Sequence, residues 1–151
     1  MATIRKVKVK DGLVEIHATD VRGKTEKEFI LKSTEAPRPE LKAAMKACEA
    51  AVRRILQFPE GWMADRLTVT GVSFSLSGDV KGAVITGLLA VDTADAPFCL
   101  NTPHLPFDQY SPSGNSPTMH PDDIEALEQL ESEAQMFLNG TRAQLELGVG
   151  A

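Results

Sequence analysis

Aromatic side chains are scarce in this chain: one Trp, one Tyr and six Phe among 151 residues. A surface that stacks successive bases on rings has little to draw on here. Cysteine is scarcer still. Cys48 and Cys99 are too few for a disulfide scaffold, and both are expected to be small buried hydrophobes with free thiols. Three histidines, His17, His104 and His120, stand at no metal-ligand spacing, and neither a calcium loop nor a phosphate-loop lysine sequence occurs. No cofactor is implied. The longest mainly apolar run, residues 82–91, is far short of the ~20 residues that cross a bilayer, so no membrane span is expected. No positively charged segment leads into an apolar core with a cleavage site, which gives an expectation of a cytoplasmic protein.

Basic residues are missing from one end. Residues 1–91 hold 15 Lys or Arg against 11 Asp or Glu, a net +4, whereas residues 92–151 hold one Arg against ten acidic residues, a net −9. Such a split points to a partner rather than to a chemistry. The length suits a single domain over residues 1–151.

The opening reads as a three-strand meander. Asp11-Gly12 is a two-residue hairpin loop that sets Lys10 opposite Leu13, Val9 opposite Val14, Val7 opposite Ile16 and Lys8 opposite Glu15. With Arg22-Gly23 as the next loop, Ile16 faces Phe29 and Val14 faces Leu31. The outer face of this meander would then carry Lys8, Lys10 and Lys27. A second hairpin, Leu67 to Val91, turns on Gly78-Asp79 and sets Leu76 opposite Lys81, Phe74 opposite Ala83, Val72 opposite Ile85 and Thr70 opposite Gly87. Pro97 to Leu100 adds a short edge strand.

Two amphipathic helices complete the chain. Leu41, Ala44, Met45, Cys48, Ala51, Val52 and Ile55-Leu56 make one apolar stripe over Pro39 to Gln57, ended by Phe58-Pro59-Glu60-Gly61. Its other sides carry Lys42, Lys46, Arg53 and Arg54, which with the meander lysines form a candidate basic surface. Trp62, just beyond, is expected to cap the core. The second helix starts near Pro121, where Asp122, Asp123 and Glu125 suit the positive end of the helix dipole. Ile124, Leu127, Leu130, Ala134, Phe137 and Leu138 supply its stripe, and Asn139-Gly140 its stop. Glu125, Glu128, Glu131 and Glu133 form a candidate acidic surface. Thr141 to Leu147 has the composition to resume a helical turn. The expected fold is therefore α+β: a two-layer, mainly antiparallel sheet of five or six strands with both helices on one face.

The connection 92–120 holds five prolines, long for a compact domain. Leu100, Leu105, Phe107 and Tyr110 offer anchors for its first half, and Ser111 to Pro117 reads as its flexible part. Asn101, His104, Asp108 and Tyr110 form a candidate loop surface. Among the histidines only His104 has nearby polar partners, in Asn101, Thr102 and Asp108, so it is the one candidate for acid–base chemistry or a ligand pocket.

The segments Leu67-Thr68-Val69-Thr70-Gly71-Val72-Ser73, Gly82-Ala83-Val84-Ile85-Thr86-Gly87 and Leu100-Asn101-Thr102-Pro103-His104-Leu105-Pro106 together resemble a family of small proteins of uncharacterised activity encoded in bacteriophage and prophage genomes. The resemblance spans most of the chain. It implies a phage accessory protein in the host cytoplasm that binds a macromolecule, and it transfers no catalytic residue. The expectation is a non-enzymatic binding module with a host or phage protein as partner. Nucleic-acid binding through the basic surface is the first rival, and a small enzyme or ligand-binding protein using His104 the second. An exposed sheet face or edge also offers a route to a homo-oligomer.

Overall fold

A computed structural model describes residues 2–110 and 114–140. The elements are β1 (Ala2–Lys10), β2 (Leu13–Arg22), β3 (Thr25–Ser33), α1 (Pro39–Ile55), β4 (Leu67–Ser77), β5 (Val80–Leu89), β6 (Phe98–Asn101), β7 (Leu105–Pro106) and α2 (Pro121–Leu138). All strands join one antiparallel sheet in the order β3-β2-β1-β4-β5-β6, with β7 also pairing β5. The fold is α+β, as the patterning predicts. The sheet has one strand more than expected because the proline-rich connection contributes two short ones.

Turn chemistry sets the registers. Asp11 and Gly12 both take positive φ, and the four pairs predicted for the first hairpin all form. In the second, Gly23 occupies the first loop position with φ +63°, so the loop is Gly23-Lys24 and Arg22 pairs with Thr25. Ile16 then faces Leu31 rather than Phe29, and Val14 faces Ser33 rather than Leu31. A shift of two residues keeps the alternation of faces intact. Lys27 pairs with Asp20, on the face of Ile16 and Ala18, so it does not join Lys8 and Lys10. Between β4 and β5 the first three predicted pairs form, but Thr70 does not face Gly87. Thr70 is the extra residue of a β-bulge, with Val69 opposite Gly87 and Gly71 opposite Thr86.

Both helices lie on one face. They pack against each other and against β4 and β1, burying Leu41, Cys48, Val52, Leu127, Leu130 and Phe137 over Val7, Ile16, Val72 and Ile85. Each of these Leu, Val, Ile and Phe side chains contributes about 1.5–3 kcal/mol by leaving water. α1 stops at Ile55, two residues early, because Gln57 turns left-handed at φ +59° and Phe58 N–H bonds back to the Arg53 carbonyl. α2 starts where Pro121 and the acidic turn predict, with His120 Nδ1 accepting from Asp122 N–H at 3.1 Å. Thr141 to Leu147 lies outside the described residues. No helix among the described residues is long and apolar enough to cross a membrane.

Three expectations about burial fail. Trp62 is 44 % exposed and stands edge-on to Phe58 at 4.8 Å rather than capping the core. Cys99 is exposed, since its place on the edge strand β6 opposite Leu88 turns it away from the helices, whereas Cys48 is buried. Tyr110 is no anchor: Leu100 is buried and Leu105 and Phe107 pack on the core, but Tyr110 points outward at 55 % exposure.

Candidate functional site

The sheet face away from the helices is open, and alternation decides what it shows. Lys6 and Lys8 of β1 stand next to Ser73 and Gly71 of β4, which stand next to Val84 and Thr86 of β5, and Asn101 of β6 pairs with Thr86. These residues, with Thr70 and Val72, line a cleft of about 260 Å³. Two features make it concave. β1 carries an irregularity between Ile4 and Lys6 and β4 the bulge at Thr70, and bulges on adjacent strands sharpen the local twist. Gly71 leaves the floor bare between Lys8 and Thr86. A Cβ there would come to 3.3 Å from the Val7 carbonyl oxygen.

The lining is of one sign. Among the described residues it holds two lysines, three hydroxyls and an amide, and no carboxylate. Among the described residues neither Lys6 nor Lys8 makes an ion pair. Glu15, across from Lys8, is already engaged by His17 Nε2 at 2.7 Å and by Lys32 at 3.7 Å. The hydrogen bond from His17 holds the Glu15 carboxyl below the ordinary carboxylate range, with the Lys32, His17 and Lys8 charges adding to it against some desolvation. Thr86 Oγ1 donates to Asn101 Oδ1 at 2.5 Å, which leaves the Asn101 amide NH₂ unpaired among the described residues. The cleft thus offers ammonium and amide donors to an anion.

The proline-rich segment forms the border of this face. Thr102 closes the gap between β6 and β7: its N–H donates to the Ile85 carbonyl at 2.9 Å and its hydroxyl accepts from Ile85 N–H at 3.0 Å. His104 then lies over Gly82, where a Cβ would meet its Nε2 at 2.4 Å, and that nitrogen bonds Ser75 Oγ at 2.7 Å. A serine beside a histidine is the nucleophile–base pair of a triad without its third member. Among the described residues no carboxylate bonds the ring from its other side, and the hydrogen bond latches β7 onto the hairpin. Asp108 accepts from Gln109 N–H and does not reach His104. Of the loop set, the fold therefore brings Asn101 and His104 to the open face and leaves Asp108 and Tyr110 outside it. Gln109 clasps Ser116 by two hydrogen bonds, and residues 111–113 of the stretch expected to be flexible lie outside the described residues.

The basic surface is not one surface. Lys8 and Lys10 lie on the open face and Lys27 on the other, while Lys42 and Lys46 flank a hollow of about 410 Å³ between α1 and β4 that also holds Glu49 and Asp65. Mixed signs make that hollow a poorer anion site. Arg53 donates to the Trp62 and Met63 carbonyls and covers the Phe58 ring, so it closes the end of α1. Arg54 Nη1 bonds the buried Asp123 at 2.7 Å. The acidic set divides as well. Glu125 and Glu128 are exposed, Glu131 pairs with Lys81, and Glu133 is buried at 4 % exposure with Arg38 Nε 3.4 Å away. Burial raises the Asp123 carboxyl above its ordinary value despite Arg54, and burial with Asp123 nearby pushes the Cys48 thiol to about 12.

Lys6, Thr70, Ser73 and Thr86 line the cleft and belong to none of the candidate surfaces expected from the sequence. Lys6 had a visible signal, since Lys6-Val7-Lys8-Val9-Lys10 alternates strictly and puts all three lysines on one face. Ser73 and Thr86 had half a signal, since alternation along the second hairpin puts both on the face away from Val72 and Ile85; that this face continues into β1 had none, because the β1–β4 pairing joins residues far apart in sequence. In comparison with known proteins, no family model, no curated protein and no solved structure matches this chain, so the functional reading rests on the chemistry of the cleft.

Proposed function

We propose that this chain is a non-enzymatic binding module that receives an acidic segment of a protein partner on its helix-free sheet face. One observation carries this reading: a cleft flanked by Lys6 and Lys8, rich in hydroxyls and, among the described residues, free of carboxylates. Its volume is below the ~300–1,000 Å³ usual for small-molecule pockets, so it suits one or two side chains of a larger partner rather than a whole metabolite. Among the described residues no aromatic side chain lines the cleft. A nucleic-acid strand laid across it would find charge but no ring to stack on, which favours a carboxylate-bearing protein over single-stranded nucleic acid. The same proposal puts the partner in an infected cell, as the resemblance to phage-encoded proteins implies.

The test is fluorescence anisotropy with a labelled Glu/Asp-rich peptide and, in parallel, a labelled oligothymidine, at roughly 50 and 200 mM salt. The expected result is peptide binding that falls at least about tenfold in Lys6→Glu/Lys8→Glu, as losing two charged hydrogen bonds implies. Peptide binding indifferent to that variant removes the cleft from consideration. Oligothymidine binding abolished by the same variant, with the peptide ignored, replaces the protein reading with the nucleic-acid one.

A further inference from the structure

The two ends of the sheet are finished differently. At one end β6 and β7 are short, interrupted by Pro103 and followed by the wrapping loop. At the other, β3 runs nine residues with no proline and no register break, packs on β2, and shows almost every side chain to solvent. Phe29 and Ile30 are 40 % and 53 % exposed there. A long straight edge with apolar side chains is a template for another strand unless something blunts it. The residues that would blunt it are its charges, Glu26, Lys27, Glu28 and Lys32. They repel a second copy only if like meets like.

We infer that two copies of this chain pair through β3, antiparallel and edge to edge, with Ile30 of one copy opposite Ile30 of the other. The backbone fixes the parity. The two-residue loop Gly23-Lys24 makes Arg22 and Thr25 the closing hydrogen-bonded pair, so Thr25, Lys27, Phe29 and Leu31 turn their N–H and C=O groups toward β2. Glu26, Glu28, Ile30 and Lys32 turn theirs outward. Only registers that pair even positions with even positions satisfy these groups in a second copy. Centring on Ile30 also matches side chains: Glu28 meets Lys32 of the second copy twice over, Ile30 meets Ile30, and on the helix side Phe29 meets Leu31. Lys27 falls opposite Ser33, so no like charges face each other. The helices pack on β4 and β1 and leave this edge approachable. A two-fold axis through the paired strands continues the sheet through both copies and sets both clefts on the same side. An acidic partner with two segments could then bind both at once.

The experiment is sedimentation of the whole chain from roughly 1 µM to roughly 1 mM, a range that brackets an interface at the low end of specific ones. Wild type is expected to shift from monomer to dimer, and a monomer throughout overturns the inference. Ile30→Pro removes only an outward N–H, leaves the bonds to β2 in place, and should abolish the dimer with the circular dichroism unchanged. Glu28→Lys and Lys32→Glu should each weaken dimerisation at least tenfold, and the double substitution should restore it. Failure of that rescue rejects the register. Oxidation in a Cys99→Ser background separates the registers directly: Ile30→Cys should crosslink and Phe29→Cys should not, and the reverse outcome places the two-fold elsewhere.

Discussion

Strands β1, β2, β4 and β5 show unlike residues to their two sides. Toward the helices, Val7, Ile16, Val72 and Ile85 are shut off from water by α1 and α2. Toward solvent, the neighbouring positions present Lys6, His17, Ser73 and Thr86. The first side holds the apolar burial that offsets chain entropy. The second contributes little beyond its backbone ladder, so its side chains are free to serve recognition. If that division is right, substitutions on the two sides should fail in different assays.

The largest effect belongs to the closed side. Leu127→Ala, at a position with no exposure, should cost about 3 kcal/mol and lower the melting temperature without touching the cleft. Somewhat smaller is Arg54→Ala, which strands the Asp123 carboxylate beneath the helices and should cost about 2–3 kcal/mol at neutral pH, below the full penalty because Arg54 is itself partly solvated. The pH dependence identifies the cause. Asp123 already has a raised folded-state value, and without Arg54 it rises further, so protonation relieves the stranded charge as pH falls through that value. Chemical denaturation from neutral to acid pH should therefore show the gap to wild type narrowing. A gap independent of pH would assign the loss to packing of the arginine stem instead.

The legible parts of this molecule are those set by near neighbours. Asp11-Gly12 fixes its hairpin from Lys10–Leu13 to Val7–Ile16 and Gly78-Asp79 fixes its own as far as Val72–Ile85, because turn chemistry acts within four residues; the expected register fails at Gly23, which takes the first loop position rather than the second, and at Thr70, where the bulge breaks the count. Both helices were placed from their stripes and start signals. Glu133 was readable too. It lies three residues after Leu130 and four before Phe137, on the apolar stripe, so the helical period itself separates it from the exposed glutamates. Arg54 was not readable, since its partner Asp123 is 69 residues away. The cleft was hidden for the same reason, being assembled by non-local pairing; Gly71 inside the β4 pattern hints at the bulge beside it but not at the strands that meet there.

Gly82→Ala tests where the open side stops being free. Its Cβ would press on the His104 ring and come to 3.1 Å from the Leu105 carbonyl oxygen, so the ring must leave Ser75 and β7 must give slightly. A cost of about 1–2 kcal/mol is expected, read by denaturation, with loss of the His104–Ser75 bond read from histidine ring shifts in NMR. Unchanged stability would mean that the latch holds nothing and that the division between the faces is complete even at this border.

The smallest effect lies beside the cleft. Glu15 is held below its ordinary value by His17, so its contribution to stability is present above the unfolded carboxylate value and disappears as pH falls through the lower folded one. Glu15→Gln should therefore cost no more than about 0.5 kcal/mol at neutral pH, as a partly exposed pair does, and nothing in strong acid. Binding should move the other way. With the carboxylate opposite Lys8 gone, the two lysines present a less compensated positive field, and affinity for the acidic peptide should rise about twofold to fivefold at low salt, converging with wild type at high salt. A substitution that lowers stability and raises affinity separates the two sides of the sheet more sharply than one that lowers both.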